Sequence, residues 1–223
     1  MVQDVFCRFR GFSIESFIVI IKFIRDCQGS GSCDEFEKTN IHIEGAVSLM
    51  KKLEEYVKSI PDFPEKGIIF RDVTSVLQDA EGLHLAIDQM QEKLEGVDFD
   101  VVLGPESRGF IFGVPIAYNM HKAFVPVRKK GKLPRATISQ TYDLEYGTAT
   151  IEIHKDAIQP GQKVVIIDDL IATGGTTEAI IKMVEELGGE VVKIVFLMEL
   201  AGLKGRERLS GYDIDSAIIY EGK

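Results

Sequence analysis

Cysteine is absent from most of this chain: Cys7, Cys27 and Cys33 are its only three, and nothing from Met50 onward carries a thiol. A body without cysteine excludes a disulfide scaffold and suits a reducing compartment, so a cytoplasmic location is expected. Zinc is not expected, because Cys27 and Cys33 have no second Cys or His pair beside them. Proline shows the opposite distribution. All seven prolines lie at or beyond Pro61, and the two distributions divide the chain near residue 50 into an N-terminal extension, 1–49, and a body, 50–223. Long apolar runs are also missing. The best stretch, FSIESFIVIIKFI at 12–24, is broken by Glu15 and Lys22, whereas a membrane-spanning helix takes about 20 apolar residues. Arg8 and Arg10 precede it, but no small-residue cleavage site follows Ile24 directly, so no export signal is expected. Positive charge is scarce as well: 26 Lys and Arg face 35 Asp and Glu, for a net charge of −9. No basic stripe remains to neutralise a nucleic-acid backbone, which argues against that class of partner.

What the chain does have is the content of a soluble α/β domain: 223 residues, 45% hydrophobic and 27% charged. Its organising stretch runs from Val164 to Thr177. Val164-Val165-Ile166-Ile167 reads as a strand buried on both faces, the kind found inside a parallel sheet covered by helices. Asp168 and Asp169 follow, at the edge where open α/β sheets bind ligands. Ala172-Thr173-Gly174-Gly175-Thr176-Thr177 then leads into an amphipathic helix with Ile180, Ile181, Val184 and Leu187 on its apolar face. Thr and Gly at the start of a helix present backbone N–H groups and hydroxyls at its positive end, which suits one phosphate group. No Lys follows Gly175, so a nucleoside triphosphate loop is not expected. Taken singly, paired acids can be a solvated strand end and a Gly-Gly turn a tight connection. Side by side they fit a ribose 5-phosphate, with the acids on the 2- and 3-hydroxyls.

Three further segments point to the same edge. Phe99 to Gly104 reads as a core strand ending in Pro105-Glu106-Ser107-Arg108-Gly109, an anion cradle of backbone amides plus a guanidinium. Arg128-Lys129-Lys130-Gly131-Lys132-Leu133-Pro134-Arg135 concentrates basic charge after the strand Ala123–Val127. It continues into the polar stretch 136–146, long enough for a lid. Leu53, Tyr56, Val57 and Ile60 have helical spacing ahead of Pro61, and Ile151 to His154 alternates as a strand with His154 toward solvent.

VVIIDDLIATGGT resembles the phosphoribosyl pyrophosphate (PRPP) motif of type I phosphoribosyltransferases. PDFPEKGIIFRD, the Leu144-Glu145-Tyr146-Gly147 lid segment and MELAGLKGRERL narrow the likeness to the adenine phosphoribosyltransferases, over about residues 50–223. Met50 stands where that family's domain starts, and the extension is expected to be dispensable for chemistry and poorly ordered. The resemblance implies a mostly parallel sheet flanked by helices, a small base-covering hood and a flexible lid. It implies conversion of adenine and PRPP to AMP and pyrophosphate, with magnesium carried by PRPP rather than by protein ligands, in a homodimer. Its site residues carry over as follows. Asp168, Asp169, Ala172, Thr173, Gly174, Gly175 and Thr176 hold the ribose and phosphate. Glu106, Ser107, Arg108, Arg128, Lys129 and Lys132 hold the pyrophosphate. Phe70 stacks on the base, the backbone of Ile69 and Arg71 reads its edge, and Leu200 covers its other face. Glu145 is the acid/base group, with Tyr146 and Arg108 at the reacting centre. Two alternatives stay open at this point: another purine as acceptor, or a PRPP-sensing regulator without turnover. Against the second, residues 1–49 are acidic and show no helix-turn-helix pattern.

Overall fold

The strand forecast around Val164 is an interior strand of a seven-stranded sheet in a computed structural model that describes residues 51–143 and 147–222. Strand β7 (Lys163–Ile171) is flanked by β3 (Val101–Pro105) and β8 (Glu190–Leu200), all parallel. Parallel pairing continues to β4 (Ala123–Lys129) on one side and β9 (Ile214–Tyr220) on the other. A hairpin of β5 (Thr137–Asp143) and β6 (Thr148–His154) adds two antiparallel strands beyond β4, giving the order β5-β6-β4-β3-β7-β8-β9.

Alternation along β7 builds two cores. Val164 and Ile166 pack with Ala179, Ile180, Met183 and Val184 of the helix that follows the Thr-Gly turn. Val165 and Ile167 face the other way, against Ala86, Met90, Phe112 and Ile116. Successive side chains of a strand point to opposite faces, so an uninterrupted β-branched run fits only a strand covered on both sides.

The helices begin where short polar residues can cap them. Asp72 accepts from Thr74 N at 2.9 Å and starts α1 (Val73–Leu77); Asp79 accepts from Gly82 N at 3.1 Å and starts α2 (Ala80–Glu92). Helix α3 (Arg108–Asn119) follows β3, α4 (Gly175–Glu186) follows β7, and the short α5 (Gly205–Arg208) follows a 3-10 turn at Ala201–Leu203. Each βα junction lies at the carboxyl end of a parallel strand, so the functional loops share one edge. No helix among the described residues is long and apolar enough to cross a membrane.

Three local expectations change. The helix expected over 53–60 is a 3-10 turn, Leu53–Tyr56, followed by β1 (Lys58–Pro61), which pairs antiparallel with β2 (Ile69–Asp72). Leu53 and Val57 are buried as the spacing required, but Ile60 lies opposite Phe70 in the small ribbon. Most of the stretch expected as a lid, 136–146, is strand β5 from Thr137 to Asp143, an element the sequence reading did not assign, because β6 supplies its backbone partners. Along β6 the alternation fails: Glu152 is buried, and His154 is half-buried rather than turned to solvent, with its Nδ1 buried and unpartnered. The extension 1–49 and the residues Glu145 and Tyr146 lie outside the described residues.

Candidate active site

Asp168 and Asp169 lie near the carboxyl end of β7, on opposite faces of the strand. Asp169 is 3% exposed, and its Oδ2 stands 3.0 Å from Nε of Arg108, the first residue of α3. That oxygen makes no hydrogen bond, so the contact is an ion pair with the N–H turned aside. Asp168 Oδ1 accepts from the Asp169 amide at 2.8 Å. Burial pushes the Asp168 carboxyl well above the usual carboxylate range, and the neighbouring Asp169 charge adds to the effect. Burial raises Asp169 as well, with Arg108 opposing it. Two acids held together and short of donors form a site that a polyol's hydroxyls or a hydrated cation would satisfy.

The Thr-Gly turn is shaped by two interlocked glycines. Gly174 has φ of 78°, in the left-handed region, and an added Cβ would lie 2.9 Å from Gly205 O. A Cβ on Gly205 would in turn collide with Ala172 O. Thus α5 braces the turn from behind while α4 begins at Gly175. Thr173 is exposed, Ala172 and Thr176 are half-buried, and Thr176 Oγ1 donates to the Tyr142 hydroxyl at 3.0 Å.

On the other flank, the Glu106–Ser107 peptide is cis, and Glu106 turns its carboxylate to the basic segment. It accepts from Arg128 Nε at 2.9 Å and from the Lys129 amide at 3.1 Å; these hydrogen bonds, Arg128's first, hold its carboxyl below the usual range. The Glu106 amide donates to Val127 O at 2.8 Å. With both groups engaged, Glu106 positions Arg128 instead of presenting a donor of its own. Lys129 and Lys132 keep exposed side chains. Their loop is anchored by the buried Glu152, whose Oε1 accepts from the amides of Gly131, Lys132 and Leu133 at 3.0, 3.2 and 3.1 Å.

Of the expected base-covering residues, Arg71 and Leu200 meet at Tyr220. Phe70 packs edge-on against Phe63 at 5.3 Å between centroids, and Ile69 is exposed. The Arg71 guanidinium donates to Ser59 Oγ and lies 4.0 Å over the Tyr220 ring, while Leu200 is the cross-strand partner of Tyr220. Burial pushes the Tyr220 phenol up, with Arg71 opposing the shift. Glu199, beside Leu200, is buried and accepts from Arg206 Nε at 2.8 Å and Ser216 Oγ at 2.8 Å, which fixes α5 to β8 and β9. Sequence reasoning missed Tyr142, Glu152, Glu199, Arg206 and Tyr220. Each acts through a partner on another element, so no local spacing marks it.

An acid pair, a helix start built from Thr and Gly, and a guanidinium at one sheet edge define a phosphoribosyl-binding class of site. The family profile described as "Phosphoribosyl transferase domain" matches residues 73–222. An adenine phosphoribosyltransferase of Lachnoclostridium phytofermentans is 78% identical over 174 residues, which cover 78% of this chain and 100% of that one. The crystal structure of adenine phosphoribosyltransferase from Thermoanaerobacter pseudethanolicus superposes with a TM-score of 0.72 at 55% identity, covering 76% of this chain and 100% of that one. The Saccharomyces cerevisiae enzyme, solved with an imino-altritol bisphosphate and adenine, gives 0.69 at 38% identity, with 74% and 96% covered. The chain belongs to the phosphoribosyltransferase family and, within it, to the adenine phosphoribosyltransferases.

Proposed function

We infer that this chain converts adenine and PRPP to AMP and pyrophosphate, a purine-salvage reaction. The observation that carries the reading is the acid pair on β7 meeting both Arg108 and the Thr-Gly start of α4 at one sheet edge. In this reading Asp168 and Asp169 bind the ribose hydroxyls, and the turn from Ala172 to Thr176 takes the 5-phosphate. Ser107, Arg108, Arg128, Lys129 and Lys132 offset the charge of the departing pyrophosphate, with Glu106 holding Arg128. The bond from the sugar's anomeric carbon to pyrophosphate breaks while the bond to a purine imidazole nitrogen forms. The proton on that nitrogen passes to Glu145, with Tyr146 alongside. The β5–β6 hairpin serves as the lid that excludes water, and Phe70, Leu200 and the backbone of Ile69 and Arg71 form the hood.

Magnesium fits as a passenger on PRPP. The unsatisfied Asp169 oxygen suits a hydrated cation. Bound there with PRPP, the ion would neutralise pyrophosphate charge. A homodimer is supported by Ile111, Val114 and Tyr118, an exposed apolar stripe at helical spacing along α3, and the cysteine-free body supports a cytoplasmic location. AMP formation from adenine and PRPP, abolished by chelating magnesium and restored by adding it back, tests the reading. No AMP under any condition would overturn it.

A further inference from the structure

We propose that Tyr142 positions the Thr176 hydroxyl for the 5-phosphate and ties the lid strand to the phosphate turn. The inference rests on the reading of Ala172–Thr176 as the phosphate cradle. Thr176 is the second residue of α4, and its Oγ1 lies 3.0 Å from the Tyr142 hydroxyl. Tyr142 comes from β5, across the hairpin from Ala149 and three residues before Glu145. The end of β5 lies beside the start of α4: a Cβ added at Gly175 would sit at ordinary contact distance, 3.5 Å, from both Tyr142 Cδ2 and Asp143 O.

A hydroxyl carries one hydrogen and two acceptor lone pairs. Without ligand, Thr176 donates its hydrogen to Tyr142. A phosphate is an acceptor, so a phosphate in the cradle takes the Thr176 hydrogen. The Tyr142 O–H can then donate back to Thr176 Oγ1 after a small turn of the phenol, since the geometry of the contact places Thr176 as the donor. Tyr142 thus holds the Thr176 hydroxyl in one place at the start of α4. A purely structural tyrosine would only fill space, which phenylalanine does equally well.

The test is a double-mutant cycle in the full chain with Tyr142→Phe and Thr176→Val, measuring kcat, KM for PRPP and for adenine, and thermal melting. Tyr142→Phe is expected to raise KM for PRPP by about three- to tenfold, the weight of one hydrogen bond. KM for adenine should move less than about twofold, and the melting temperature should stay near that of the parent. In the Thr176→Val background the Tyr142→Phe change should add almost nothing. Unchanged KM for PRPP in Tyr142→Phe, or full additivity of the two changes, overturns the pairing while leaving the phosphate cradle intact. Unchanged KM for PRPP in Thr176→Val overturns the cradle reading itself, and the pairing with it.

Discussion

Asp168 and Asp169 are costly residues for this fold and useful ones for a ligand. Burial raises both carboxyls, so each holds its proton to higher pH in the folded chain than in the unfolded one. Their contribution to stability is therefore fully present below the unfolded carboxyl pKa and is lost as pH rises through the folded values. Asp168→Asn should leave the unliganded melting temperature unchanged or higher at neutral pH and flatten its fall with pH. The same change should raise KM for PRPP or lower turnover at least tenfold; a melt that drops while PRPP binding survives would mark the pair as structural. Glu145→Gln should act differently, lowering kcat by about a hundredfold or more while PRPP affinity shifts little, because a proton acceptor matters mainly in the transition state. Steady-state kinetics with PRPP as the varied substrate separates the two. Both acids were legible from sequence because they break an apolar run at a predictable edge. Glu152 was not. An acid between Ile151 and Ile153 reads as a solvent-facing position, and only the loop 131–133 folding over it supplies the three amides that bury it.

At the level of elements, strand β7 and helix α4 were readable in outline because a β-branched run, a Thr-Gly turn and helical spacing follow each other without a gap. Strands β1 and β5 were not read as strands, since what makes them so is a partner elsewhere: Phe70 for Ile60, and Thr150 for Thr141; β6 was read in part, over 151–154. The brace between α5 and the phosphate turn was equally hidden, because it is backbone against backbone. Gly205 abuts Ala172 O, and Gly174 abuts Gly205 O. Gly205→Ala must push the two loops apart. The expected cost is about 1–3 kcal/mol of stability, together with a raised KM for PRPP that exceeds any change in KM for adenine. A protein that melts normally and binds PRPP normally would show that the brace has slack.

For the whole molecule, the parallel sheet brings the loops after β3, β4, β7 and β8 to one edge, because the strand ends of β3, β4, β7, β8 and β9 face the same way. The apolar stripe on α3 belongs to this scale too. Tyr118 is 82% exposed and Val114 47%, more apolar surface than a helix in water gains by showing. On the proposed homodimer reading, Tyr118→Glu combined with Val114→Glu shifts the chain toward monomer in sedimentation equilibrium; an unchanged mass distribution would contradict a dimer contact on this face.

The most direct test of the account is pyrophosphate release with PRPP and magnesium when adenine, hypoxanthine, guanine and xanthine are offered one at a time. Rapid release with adenine alone is the predicted result. Release with an oxopurine in its place would contradict the base assignment, and no release with any of the four would contradict catalysis itself.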